Sequence, residues 1–99
     1  MAGSEFSASG VRIERSLRSL TRAGKVVIRD GVLALLNSRG TVIDSAPVGA
    51  VETRRPWFDF GRERAQAVVN GHRYSLTWAG PEAPERFVDA VEAARTTAR

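Results

Sequence analysis

The segment Arg54-Arg55-Pro56-Trp57-Phe58-Asp59-Phe60-Gly61-Arg62-Glu63-Arg64 sets three aromatic side chains between two basic pairs, with Pro56 and Gly61 bracketing them. Exposed indole or phenyl rings beside guanidinium groups suit three kinds of contact: insertion at a lipid interface, stacking on unpaired bases, and anchoring of a protein partner. The pattern fits equally a core that takes up Trp57 and Phe60 while Arg54, Arg55, Arg62 and Arg64 are simply solvated. A second basic group lies near the start. From Arg12 to Arg29 there are six basic residues and a single acid, Glu14. Arg12, Arg15, Arg18 and Arg22 are either a surface turned toward an anionic partner or the solvated side of a first element. With Arg54, Arg55, Trp57, Phe58, Arg62 and Arg64 they make up the candidate binding surface.

Reaction chemistry finds no comparable support. The single histidine, His72, comes just after the Asn70-Gly71 turn, and there is no cysteine. No serine has a base that the sequence places beside it, so no nucleophile is indicated. The carboxylates are scattered and have structural roles: Asp30 in a turn, Glu82 and Glu85 at a helix start. The expectation is a protein that is not an enzyme, with no catalytic residues, no metal site and no cofactor. The glycines occupy turn positions and form no phosphate cradle.

The elements that must position these residues belong to a single small domain. The chain has 99 residues with 42% apolar content and a net charge of +4, from 15 basic and 11 acidic residues. All but one of the basic residues are Arg, a bias that a GC-rich coding sequence also produces. Without Cys, disulfides and thiolate metal sites are excluded. The longest apolar run, Val32-Leu33-Ala34-Leu35-Leu36, is far shorter than the roughly 20 residues of a membrane span. Residues 1–6, Met-Ala-Gly-Ser-Glu-Phe, read as a vector-derived scar and are set aside for the fold. The division expected is a basic segment over 7–24, forming a first strand or a short helix, and the rest of one domain over 25–99. Ile13, Leu17 and Leu20 have helical spacing, while Val11, Ile13 and Leu17 fit one side of a strand.

From Lys25 onward the pattern is one of hairpins. Lys25–Arg29, Asp30-Gly31 and Val32–Asn37 predict two strands joined by a type I′ turn. Asn37-Ser38-Arg39-Gly40 leads into Thr41–Ser45. Pro47 is expected to interrupt the sheet, and Val48–Arg54 to resume an extended course. Ala65–Val69 and His72–Trp78 flank Asn70-Gly71 as another hairpin, and Tyr74, Leu76 and Trp78 alternate with Arg73, Ser75 and Thr77 as a half-buried strand does. A helix over about 81–96 comes next. Pro81 and Pro84 suit its first turn, and Phe87, Val91 and Ala94, with Val88 beside them, form one apolar stripe. Such a stripe must cover something, and the open end of a curved sheet is the partner expected.

These hairpins, the Ser45-Ala46-Pro47-Val48-Gly49-Ala50-Val51 stretch between middle strands, and a last strand running into Pro81–Arg95 resemble the pleckstrin-homology (PH) superfold, in particular small bacterial PH-like domains. The resemblance covers about residues 11–97. It implies a mainly β fold with one C-terminal α-helix: a seven-stranded PH-like β-barrel or roll, in two roughly orthogonal sheets, capped by the helix. It implies a monomeric interaction module docking a protein partner or an anionic membrane surface, as a domain of a larger bacterial protein. Its place would be the cytoplasm, at the inner face of the membrane where that protein has a transmembrane segment. Two departures stand out. Phosphoinositide-binding members have a long, basic first hairpin loop; if Lys25–Leu36 is that hairpin, Asp30-Gly31 is too tight and leaves only Lys25 and Arg29 nearby. Eukaryotic members have a Trp in the closing helix, where this chain has Phe87, with Trp78 on the preceding strand. The alternative function is single-stranded nucleic-acid binding by a small basic barrel, with Trp57, Phe58 or Phe60 stacking on bases.

Overall fold

The computed structural model describes residues 6–16, 18–54, 64–78 and 83–97. Seven strands, β1 (Phe6–Arg15), β2 (Arg18–Arg29), β3 (Val32–Leu36), β4 (Val42–Pro47), β5 (Glu52–Arg54), β6 (Arg64–Val69) and β7 (His72–Thr77), precede one helix, α1 (Ala83–Thr97). All pairings are antiparallel, in the continuous order β4-β3-β2-β1-β7-β6-β5. Seven strands and a C-terminal helix are as expected, but the strands form one continuous sheet rather than two, because β1 bridges β2 and β7.

Within residues 7–24, Ser7–Arg15 and Arg18–Gly24 are strand, in β1 and the first half of β2, with Ser16 in the turn between them and Leu17 outside the described residues. The helical spacing of Ile13 and Leu20 loses to pairing on both sides. Ile13 sits opposite Thr21 of β2 and Leu76 of β7, and Val11 and Ile13 are both buried. A Ser- and Gly-containing start also has little helix propensity to oppose this. Phe6, set aside in the sequence reading, is the first residue of β1 and stacks edge-on against Phe87, ring centroids 5.9 Å apart.

The two hairpin turns form as the sequence dictates. Asp30 and Gly31 have φ of 53° and 77°, and Asn70 and Gly71 have 53° and 81°. Both central residues are left-handed, which a type I′ turn requires. The β3–β4 connection is built on Asn37, whose side-chain Oδ1 accepts from the N–H groups of Arg39 at 2.9 Å and Thr41 at 3.0 Å.

Pro47 does not break the sheet. It is the last residue of β4, opposite Val32. The strand is an edge, so its missing N–H removes no ladder bond. The next residues depart from the expected extension. Val48–Ala50 is one 3₁₀ turn, pinned where Val48 N–H donates to the Gly31 carbonyl at 2.9 Å, and only Glu52–Arg54 is strand. The chain must cross here from one edge of the sheet to the other, and a tight corner does that.

The core takes alternate residues: Val26 and Ile28 from β2, Leu33 and Leu35 from β3, Tyr74 and Leu76 from β7. Helix α1 closes one end of the roll with Phe87, Val91 and Ala94 buried. Phe87 is the plug, with the rings of Trp78 at 5.3 Å and Phe6 at 5.9 Å from its own. Burial of a ring this size stabilises by about 1.5–3 kcal/mol.

Candidate functional site

The end of the roll away from Phe87 is polar. β1 and β2 meet there in a tight hairpin, with Arg15 opposite Arg18 and Ser16 in the turn at φ 53°. Arg15, Arg18 and Arg22 are exposed. Beside them, β7 begins with exposed His72 and Arg73. A cleft of about 530 Å³ opens between the two hairpins, lined by Arg15, Ser16, Val68, Gly71, His72, Arg73 and Ser75. Among the described residues, Arg18, Arg22 and Arg73 have no carboxylate within ion-pair distance, whereas Arg12 Nε lies 3.8 Å from Glu14.

This placement changes the reading of the first hairpin. Asp30-Gly31 belongs to the second hairpin, β2–β3. The first is β1–β2, so the cations nearest it are Arg12, Arg15, Arg18 and Arg22 rather than Lys25 and Arg29. Its turn is equally short. Counting hairpins from the sequence starts one too late because the β1–β2 turn has no Asn-Gly or Asp-Gly signal.

A polar latch, missed from the sequence, holds this end shut. Asp44 sits on β4 opposite Leu35, on the inward-facing side. Its Oδ2 accepts from the Tyr74 hydroxyl at 2.7 Å, and its Oδ1 from Asn70 Nδ2 at 2.6 Å and from Ser45 N–H at 2.9 Å. Asn70 Nδ2 also donates to the Ser45 carbonyl at 2.8 Å. Edge strand β4 is thereby tied to the β6–β7 hairpin across the seam of the roll. Burial pushes the Asp44 carboxyl up, but the bonds from Tyr74, Asn70 and Ser45 outweigh it and hold the group below its usual range. Burial raises the Tyr74 phenol, and the bond to the Asp44 carboxylate raises it further, against an opposing contribution from the Arg15 side chain. A tyrosine at an inward position was the available signal, since a buried hydroxyl calls for a partner.

The remaining candidates fall on the outer face. Arg12 and Arg64 both pair with Thr77 from opposite sides, and Arg54 lies two strands further out, opposite Gln66. Arg54 is exposed and Arg64 half-buried. The structure therefore separates Arg12, Arg54 and Arg64, on the sheet face, from Arg15 and Arg18 at the polar end. Arg55, Trp57, Phe58 and Arg62, with Phe60, lie outside the described residues. Among the described residues there is no group of three or more His, Asp or Glu arranged to hold a metal ion, and no helix is long and apolar enough to cross a membrane.

No family model matches this sequence, and no curated protein resembles it in sequence. Solved structures do share its shape. The C-terminal PH domain of human pleckstrin superposes with a TM-score of 0.68 at 14% identity, covering 94% of this chain and 81% of that one. The C-terminal PH domain of the human FYVE, RhoGEF and PH domain containing protein gives 0.67 at 14% identity, with 94% and 88% covered. The chain has the pleckstrin-homology fold. A third PH structure, the DH/PH fragment of PDZRhoGEF in complex with human RhoA, gives 0.73 at 12% identity; it covers 97% of this chain, which spans only 29% of that longer one. Within this PH fold, Trp78 and Phe87 share the plug position, so the aromatic filling of the helix-capped end is kept from two elements.

Proposed function

We propose that this PH domain is a non-catalytic docking module whose β1–β2 end binds an anionic membrane surface. The fold is one used for lipid and protein binding rather than catalysis, and a single observation supports the choice of surface. Arg15, Arg18 and Arg73 gather at the end of the roll opposite the helix, with Arg22 further along β2, all exposed, and Glu14 is the one acid on the β1–β2 hairpin. Each cation near an anionic bilayer contributes about 1 kcal/mol, so four together give weak but usable affinity. Because the side chains are solvated, salt at about 0.5 M should abolish most of it.

Co-sedimentation with phosphatidylcholine vesicles, with and without phosphatidylserine, tests the reading. Recovery only with the anionic vesicles, falling as salt rises, is the expected result. Equal recovery with both at low salt overturns it. A parallel titration with a single-stranded oligonucleotide at two salt concentrations addresses the alternative partner; a salt-dependent shift there, with no vesicle binding, would replace the membrane by nucleic acid.

A further inference from the structure

The outer face of β2, β3 and β4 is apolar where solvent-facing strands are polar. Strand β3, Val32–Leu36, carries no polar residue on either side, a pattern that belongs to strands covered on both faces. Leu33 and Leu35 are buried inside; Val32 is 42% exposed outside. Cross-strand register gives three rows on this face: Arg29–Val32–Pro47, Val27–Ala34–Ser45, and Lys25–Leu36–Val42. Val42 is 53% exposed. Lys25 and Arg29 flank the apolar residues on the β2 side, both exposed, with no carboxylate within ion-pair distance among the described residues. Asp44, the acid on these strands, is turned inward to Tyr74, and exposed Asp30 sits in the β2–β3 turn beside Arg29.

The edge of β4 is closed to an added strand. Ser45 spends its carbonyl on Asn70 and its N–H on Asp44, and Pro47 has no N–H. The offer is therefore a face and not an edge. A second copy stacked with its two-fold axis across the strands would set β2 on β2 and bring Lys25 and Arg29 of the two chains together. An apolar patch bordered by unpaired cations is complementary to an anionic bilayer, whose phosphates lie above an apolar interior.

We infer that this face seats on an anionic bilayer, with Val32 and Val42 at the headgroup–acyl boundary and Lys25 and Arg29 on lipid phosphates. The inference rests on the membrane reading proposed for the β1–β2 end and extends that contact along β2, which carries Arg18, Arg22, Lys25 and Arg29 in succession.

The test uses the absence of cysteine from the chain. Val42→Cys, labelled with a polarity-sensitive fluorophore, is mixed with vesicles containing phosphatidylserine, alongside Asp89→Cys on the exposed side of α1. A blue shift at position 42 and none at 89 is expected. The pair Val32→Ser and Val42→Ser should weaken partitioning about tenfold while leaving the melting curve in place, because both side chains are already substantially in water. Full binding by that pair, combined with loss of binding by Arg15→Glu and Arg18→Glu, overturns the face and leaves the β1–β2 end standing. No binding of wild type to anionic vesicles overturns both. A blue shift that tracks protein concentration without vesicles also overturns the inference, since it identifies the occupant as a second copy.

Discussion

The two ends of this roll are closed by opposite chemistry. At one, Phe87 of α1 packs against Phe6 and Trp78, a dry aromatic plug whose strength is area removed from water. At the other, Asp44 gathers Tyr74, Asn70 and Ser45 N–H into a half-buried polar latch, and Arg15, His72 and Arg73 line the cleft at that end. The plug stabilises the fold by burying aromatic area. The latch contributes less, and it leaves a cationic rim free to bind.

Breaking the plug should have the largest effect. Phe87→Ala is expected to cost about 3–5 kcal/mol, a drop in melting temperature on the order of 15 °C or more by circular dichroism. A loss under about 1 kcal/mol would mean that α1 does not close the roll. Gly24→Ala comes next. A Cβ there would run into the Leu36 carbonyl oxygen and stand 2.6 Å from Thr21 Cγ2, at an irregular point of the β1–β2 pairing. Backbone on one side cannot give way, so a cost of about 2 kcal/mol is expected in urea unfolding.

The latch should show a smaller loss with its own pH signature. Tyr74→Phe is expected to cost about 1–2 kcal/mol near neutral pH. The folded Asp44 carboxyl is held low, so its contribution is present above the ordinary carboxylate range of about 4 and is lost as pH falls through the folded value. The Tyr74 phenol is held high, so its contribution is present below about 10 and is lost as pH rises through the folded value. Wild type should therefore lose stability on both flanks, and Tyr74→Phe should remove the alkaline one and shallow the acid one, where Asn70 and Ser45 still hold Asp44. Unchanged flanks in the variant would mean that no latch holds this end. The smallest stability effect belongs to the rim. Arg18→Glu with Arg22→Glu should move the unfolding free energy by less than about 0.5 kcal/mol, yet abolish sedimentation with anionic vesicles.

The difference between the ends also explains what is legible in the sequence. The plug is legible because its signals are local: a period-two strand through Tyr74, Leu76 and Trp78, then a helical stripe of Phe87, Val91 and Ala94. The Asp30-Gly31 and Asn70-Gly71 hairpins are legible for the same reason, since their turn chemistry is written in two adjacent residues. The latch is not, because Asp44 and Tyr74 are 30 positions apart and meet only when the sheet rolls. The β1–β2 turn carries no distinctive dipeptide, so the four arginines from Arg12 to Arg22 can be named as a cluster, but not sorted into Arg15 and Arg18 at the end of the roll and Arg12 on the sheet face. The corner at Val48–Ala50 arises from the sheet's need to cross between its edges, which no local pattern records. Phe6 is masked by its scar-like neighbours, although a phenyl ring at the head of a strand finds the core wherever it originates.

Backbone amide shifts measured by NMR, during titration with bicelles of neutral and then of phosphatidylserine-containing composition, test the division of labour most directly. Perturbation of Arg15–Arg29 and of Gly71–Arg73 with the anionic bicelles alone, and silence along Phe87–Ala94, is the result expected of a cationic docking end and a dry plug. Perturbations centred on α1, or the same pattern with both compositions, would contradict it.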